Sequence, residues 1–423
     1  FKQKTAYEML RSLVGSEMCI RDRVREVSIN SMDKLISIMK KIGVDSIGIE
    51  IMKSKGIFHY FNIDSLTNTQ CHILKQSALS HSAEAAVNRH VITGKVEYSN
   101  VLLFGNEKQL KGIAKSLLNQ QFKMKYIGKA ILEAFDKNDD HKWYFKDRYI
   151  DLSKKTAIMG VLNVTPDSFS DGGKWNSKDL ALKQCERMIE EGADIIDIGG
   201  ESTRPGAEYI DNQTEIERVM PIIDAVKRDF DIPVSIDTYK SKVAKESVKF
   251  GADIVNDIGG LRFDSDMAGV IAKNKMGCCI MHMKGTPKNM QNDPNYKNVV
   301  AEICNYFNES LVIAEDNGIS RSNIVLDPGI GFGKRVIDNL NILNDLNDFK
   351  CFKLPILVGV SRKSFIGKIL GRDVNERLYA TIGSQIVSLV NGADIIRTHD
   401  VRAAYDSIRI ADAIMKKYRM DFK

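Results

Sequence analysis

TAIMGVLNVTPDSFSDGG, residues 156–173, decides the reading of the fold. A short, mostly apolar run ends at Asn163 and passes directly into a loop of Thr, Pro, Asp, Ser and Gly. The run is brief and does not alternate, so it suits a strand covered on both faces. Comparable runs recur at 193–199, 233–237, 253–257, 278–282, 324–327, 356–360 and 394–398, with helix-like segments between most of them. Eight such runs within residues 154–423 predict parallel βα units closed into an α/β (β/α)8 TIM barrel. A doubly wound open sheet is the structural alternative.

Upstream the pattern changes. Residues 24–135 mix a helix around 32–42, the strand-like KGIFHYFNI, a helix near 68–78, the strand VLLFG and an amphipathic KQLKGIAKSLLNQ, which predicts a small α+β domain of its own. Residues 136–153, opening with the polar DKNDDHK, are expected to be a linker. Residues 1–23 resemble translated sequencing-adapter read-through and are expected to be a non-native or disordered leader, with the native start near Val24 or upstream of it.

Composition narrows the class of protein. Among 423 residues, 43% are hydrophobic and 27% charged, as in ordinary globular chains. The net charge of +6 is spread without a Lys/Arg block, which argues against nucleic acid and allows an anionic substrate. No apolar stretch reaches the ~18 residues of a membrane span. Seven cysteines without a Cys-x-x-Cys spacing are expected to be buried free thiols in a reducing, cytoplasmic setting. His59, His72, His81 and His90 fit no metal-ligand spacing.

Each barrel run ends in polar groups: Asn163, Asp197, Asp237, Asn256, His282, Asp327, Arg362 with Lys363, and Arg397 with His399. In a barrel those ends share one mouth, where residues serve ligands and catalysis. Asp197 is expected to be a helix cap or loop hydrogen-bonder instead. Asp237, Asn256 and Asp327 could grip the N–H edge of a pterin or purine. Asn163, Arg397 and His399 suit anionic oxygens, and the Asn163 oxygen could also hold magnesium beside a diphosphate. Lys363 could reach the ring or a second substrate. The loops NVTPDSFSDGGKW and GGESTRPGAEYI suit lids. GIGFGK after Asp327 is too weak a pattern for a dinucleotide site.

The segments NVTPDSFSDGG (163–173), DIGGESTRPGA (197–207), SIDTYK (235–240), VNDIGG (255–260), MHMKGTPKNMQ (281–291), LDPGIGFGK (326–334), GVSRKSFIG (359–367) and RTHDV (397–401) resemble, in order, the motifs of dihydropteroate synthases. SAEAAVNR in the upstream domain resembles a motif of the extra N-terminal domain found in some clostridial-type members. Thr398 stands where the family more often has an apolar residue. The resemblance implies condensation of dihydropterin diphosphate with p-aminobenzoate, inhibition by sulfonamides, magnesium as cofactor and a homodimer. It implies Asp237, Asn256, Asp327, Lys363 and Arg397 as pterin ligands, and Asn163, Thr203, Arg397 and His399 around the diphosphate and its magnesium. The catalytic group would be Asp327, Lys363, Arg397 and His399. Phe169, Ser170, Asp171, Thr203, Arg204, Pro205 and Lys363 would form the p-aminobenzoate site. A methyltetrahydrofolate methyltransferase of the same superfamily would share the pterin grip without needing the lysine, the Arg397 and His399 pair or the STRPG loop. A non-catalytic binder would show losses in the ring.

Overall fold

The computed structural model describes residues 27–29, 31–136, 141–165, 174–202 and 209–415. The leader 1–23 lies outside them. The chain divides into two compact units, Phe1–Asn138 and Asp139–Lys423.

In the first unit, helices α1 (Met32–Ile42) and α2 (Ser46–Lys53) precede β1 (Phe58–Thr67), α3 (Asn68–Ser80), β2 (Glu84–Ala86), β3 (Tyr98–Asn106), α4 (Glu107–Leu117) and α5 (Met124–Ala134). The sheet is antiparallel in the order β1, β3, β2. Both long strands turn directly into helices through reciprocal caps. Thr67 and Gln70 satisfy one another's backbone N–H at the start of α3, and Asn106 and Gln109 do the same for α4. Alternation along β3 sends Val101 and Leu103 into a core with Leu74, Leu110 and Ile113, and leaves Tyr98 and Leu102 exposed. SAEAAVNR supplies β2.

In the second unit, β4 (Lys142–Phe145) and β5 (Arg148–Asp151) form an antiparallel hairpin. The stretch read as a linker thus holds a structural element. Polar DKNDDHK hides it, because the hairpin's fully buried apolar residues are only Trp143 and Phe145, with Ile150 partly buried and Leu152 just beyond.

The barrel follows as β6 (Ala157–Asn163), α6 (Lys174–Glu190), β7 (Ile195–Gly199), α7 (Asn212–Asp229), β8 (Val234–Asp237), α8 (Ser241–Lys249), β9 (Ile254–Asp257), α9 (Met267–Lys273), β10 (Gly277–Met281), α10 (Val299–Asp316), β11 (Ile324–Asp327), α11 (Val336–Asn344), β12 (Leu357–Val358), α12 (Ser364–Leu370), α13 (Leu378–Val390), β13 (Ile395–Thr398) and α14 (Val401–Ile414). The eight strands are parallel in the order β11, β10, β9, β8, β7, β6, β13, β12, and a bridge between Leu326 and Ile356 joins β11 to β12. Every expected run overlaps one of these strands.

Side chains at every second position point into the lumen. Ala157, Met159, Ile195, Ile254, Cys279, Val325, Leu357 and Ile395 fill its lower layers, closed beneath by Trp143 and Phe145 of the hairpin. The alternate residues, Ile158, Ile196, Val234, Val255 and Ile396 among them, pack outward against the helices. Cys71, Cys185, Cys278 and Cys279 are buried thiols as expected, whereas Cys304 is half-buried and Cys351 exposed.

Three strands start alike. GADII (192–196), GADIV (251–255) and GADII (392–396) each place a glycine at φ between +99° and +110° to end the preceding helix. The aspartate then joins the neighbouring strand twice. Its backbone N–H donates to the carbonyl of Ile158, Val234 or Ile356 at 2.8 Å. Its carboxylate accepts the N–H of that same residue at 2.9 to 3.0 Å. A lysine completes each set: Lys155 on Asp194, Lys227 on Asp253 and Lys350 on Asp394.

Candidate active site

At the opposite end of the strands, the same alternation carries polar groups inward. Continuing from the apolar layers, the inward positions become Asn163, Asp197, Ser235, Asp237, Asn256, Met281, Asp327, Gly359 and Arg397. The fold therefore brings together the whole expected pterin set, Asp237, Asn256, Asp327, Lys363 and Arg397, while Asn163 is half-buried and His399 exposed at the rim.

Asp197 belongs to this group, contrary to its expected role as a cap. It is fully buried, and its Oδ2 accepts from Arg397 Nε at 2.6 Å and Asn256 Nδ2 at 3.1 Å. Arg397 also donates through Nη2 to Asp237 Oδ2 at 2.6 Å. The guanidinium thus spans two carboxylates on neighbouring strands. Counting by twos from Ile195 would have placed Asp197 in the lumen. His282 moves the other way: it shares the outward side of Ile280, sits edge-on to Tyr306 of α10 at 4.8 Å and meets Lys334. Arg362 also leaves the ring, paired with Asp400 at 2.6 Å.

The unpaired acceptors define what the lumen can bind. Asp197 Oδ1, Asp237 Oδ1, Asn256 Oδ1 and Ser235 Oγ are buried, with no hydrogen-bond partner among the described residues. Buried oxygens of this kind are nearly always satisfied in folded proteins, so a cluster of them at the strand ends of one lumen points to a ligand rich in N–H donors. Beside them lies an apolar wall of Ile258, Met281, Met283 and Met290 with Tyr239 and Phe332 packed on it, suited to the faces of a flat ring. Sequence reading missed this wall because its members are ordinary apolar residues on four different segments.

The charges are tuned by burial. It pushes the Asp237 carboxyl up to about 7, with Arg397 pulling it down and Asp197 pushing it further up. Asp327 is likewise raised by burial, opposed by Lys363 and by the Gly329 N–H, which donates to its Oδ1 at 2.7 Å. Lys363 is lowered to about 8 by burial, against the raising effect of Asp327. Its Nζ donates to Ile330 O and lies 4.7 Å from the Phe332 ring centroid. Burial opposes the charge of Arg397, yet Asp197 and Asp237 hold it above its usual range.

At the rim, His399 Nδ1 lies 3.1 Å from Ser361 Oγ. Among the described residues no cluster of three His, Cys, Asp or Glu side chains could hold a metal. The oxygen of Asn163 alone fits a hard cation that keeps most of its bonds to water and substrate oxygens. Phe169, Ser170, Asp171, Thr203, Arg204 and Pro205 lie outside the described residues. Glu201 and Tyr209 flank the second loop, and Lys240 ties them: it pairs with Glu201 and Glu215 at 2.8 Å and sits 4.6 Å from the Tyr209 ring centroid.

Residues 159–399 match the family of pterin binding enzymes. A dihydropteroate synthase of Clostridium beijerinckii is 48% identical over 267 residues, which cover 63% of this chain and 97% of the relative. That of Escherichia coli is 43% identical over 274 residues, covering 65% and 96%. Among solved structures, a Clostridium difficile dihydropteroate synthase obtained in the presence of pteroic acid is similar at a TM-score of 0.60, with 47% identity over 63% of this chain and 98% of that one. A Yersinia pestis dihydropteroate synthase with a sulfonamide drug complex gives 0.62, with 40% identity over 65% and 99%. A Xanthomonas albilineans enzyme with 4-aminobenzoic acid gives 0.62, with 35% identity over 66% and 99%. The unit around the antiparallel sheet, residues 31–136, precedes the part matched by the family. The chain belongs to the pterin binding enzymes, and its barrel is that of a dihydropteroate synthase.

Proposed function

We propose that the barrel condenses (7,8-dihydropterin-6-yl)methyl diphosphate with p-aminobenzoate to 7,8-dihydropteroate and diphosphate, with the pterin held by Asp237, Asn256, Asp327, Lys363 and Arg397. The observation that carries this is the cluster of unpartnered buried oxygens on Asp197, Asp237 and Asn256 beside the Lys363 ammonium. A pterin presents ring N–H and amino donors to such oxygens and a carbonyl to a lysine. Arg397 would leave Asp237 to lie against the ring face. The methyltransferase alternative is not favoured, since the relatives at 42 to 48% identity are dihydropteroate synthases.

In the reaction the bond between the pterin methylene carbon and the diphosphate oxygen breaks, and its electron pair leaves with the diphosphate. The cation is spread over the pterin ring. The p-aminobenzoate amine attacks the methylene carbon, forms the C–N bond and gives its proton to solvent. Asp327, buried beneath the ring, favours the developing positive charge, while Arg397 and His399 stabilise the charge on the departing diphosphate; preorganised groups of this kind usually contribute most to catalysis. Asn163 and Thr203 would hold magnesium and the diphosphate, where the cation would supply further charge neutralisation. Phe169, Ser170, Asp171, Thr203, Arg204 and Pro205 would enclose p-aminobenzoate next to Lys363 and exclude water.

Exposed Ile337 and Leu340 on α11 and Tyr379, Val387 and Val390 on α13 support a homodimer formed through these neighbouring helices. No described helix is long and apolar enough to cross a membrane. With the free thiols this favours a cytoplasmic protein without membrane or nucleic-acid partners. The test is diphosphate release by the full chain with dihydropterin diphosphate and magnesium. Release that requires p-aminobenzoate and stops with a sulfonamide supports the proposal; pterin binding without release refutes it.

A further inference from the structure

Lys334 closes the LDPGIGFGK segment, 326–334, and none of the roles above uses it. Its side chain is buried and its hydrogen-bond partners are neutral. Nζ donates to Phe332 O at 3.0 Å, lies 2.8 Å from His282 Nδ1 and reaches His282 O at 3.4 Å. Burial pushes Lys334 well below the ordinary lysine range, with Asp327 acting to raise it. His282 is pushed well below its own range by the same cause and then by Lys334.

The turn between Gly329 and Gly333 is thus held by two amines. Lys363 donates to Ile330 O from the lumen, and its tail passes 3.2 Å from where a Cβ on Gly331 would lie. Lys334 donates to Phe332 O and joins the turn to the end of β10 through His282. Gly329, at φ +68°, allows the close approach: a Cβ there would fall 1.9 Å from His282 O.

We propose that Lys334 is a positioning residue of the condensation: it ties Phe332 O to His282, and the turn so fixed holds Lys363, through Ile330 O and the Phe332 ring, in register with Asp327. The inference rests on the pterin-binding reading of Lys363. The Lys363 amine faces Asp327, Asp237 and Arg397. If Lys334 is removed, the turn relaxes, Lys363 gains water and its pKa rises from about 8 toward the ordinary 10.5.

The test compares full-length wild type with Lys334→Met, His282→Leu and His282→Gln, following turnover against each substrate from neutral to alkaline pH. Thermal unfolding monitors folding. Lys334→Met and His282→Leu are expected to lower kcat/KM for dihydropterin diphosphate by on the order of 100-fold, the cost of a small misplacement in a preorganised site. The KM for p-aminobenzoate, whose site Lys363 also borders, rises by a smaller factor than that for the pterin. The alkaline limb, near pH 8 in wild type, moves upward in both variants. His282→Gln, which keeps a hydrogen-bonding group against the amine, restores the wild-type limb. Folded variants with the wild-type limb and pterin KM overturn the proposal, as does equal loss toward both substrates with an unmoved limb. Should Lys334→Met fail to fold, the two His282 variants decide the matter between them. A wild-type chain without p-aminobenzoate-dependent turnover would overturn the reading of the reaction instead.

Discussion

The two ends of the barrel both carry aspartates on neighbouring strands and satisfy them to different extents. At the starts of strands, Asp194, Asp253 and Asp394 each accept a neighbouring strand's N–H and pair with a lysine. Where the strands end, Asp197, Asp237 and Asn256 each keep one buried oxygen without a partner. Satisfied buried carboxylates fix strand register; unsatisfied ones carry a cost that a bound ligand or water recovers. Among these strand-end and strand-start side chains, an unpaired buried oxygen separates the mouth of the barrel from its base.

Substitutions should break the two ends differently. The largest effect is expected for Lys363→Ala, which removes the cation beside Asp327: turnover should fall by on the order of 1000-fold, as for other preorganised charge-stabilising groups, with the thermal midpoint kept. Full activity in that variant would remove the lysine from the site. Next, Asp394→Ala strips partners from Lys350, His141 and the Ile356 N–H, so unfolding free energy should drop by roughly 3 kcal/mol, as when one member of a buried pair is deleted. Activity per folded molecule should be unchanged.

The pH dependence sharpens the contrast. Burial raises Asp394, but His141 and Lys350 outweigh it and hold the carboxyl down to about 2, below its ordinary 3.8. A depressed folded-state value gives stability that is present above pH 3.8 and lost as pH falls through about 2, worth about 2 kcal/mol. Asp237 behaves in reverse. Its raised value means that ionisation opposes folding as pH rises from 3.8 toward about 7. Asp237→Asn should therefore leave the thermal midpoint at neutral pH unchanged or higher, the smallest of these effects. A clear loss of stability there would show that Asp237 is architectural like Asp394.

How much of this was legible in the sequence depends on length and parity. The eight apolar runs were readable because strands covered on both faces lose their polar alternation, and their ends named Asp237, Asn256, Asp327, Lys363 and Arg397 in advance. The hairpin of β4 and β5 was not readable: its four-residue strands present only Trp143 and Phe145 as buried apolar signals. The short α2 and three-residue β2 are equally weak patterns. Asp197, expected as a cap, and His282, expected in the ring, were both misplaced because the strand-end residues were not sorted by parity. Period-two counting from Ile195 and from Cys279 separates the inward aspartate from the outward histidine. The recurrent Gly-Ala-Asp start was present in the sequence, but its meaning, a carboxylate returning to the adjacent strand, needs the register.

The central claim is that the mouth's unpaired oxygens are ligand acceptors and the paired carboxylates at the strand starts are not. The most direct measurement is the rise in thermal midpoint on adding a pterin such as pteroic acid to wild type, Asp394→Ala and Asp237→Asn, because a ligand that binds only the folded state raises the midpoint according to its affinity. Equal rises in wild type and Asp394→Ala with little or none in Asp237→Asn are predicted. An undiminished rise in Asp237→Asn would contradict the account.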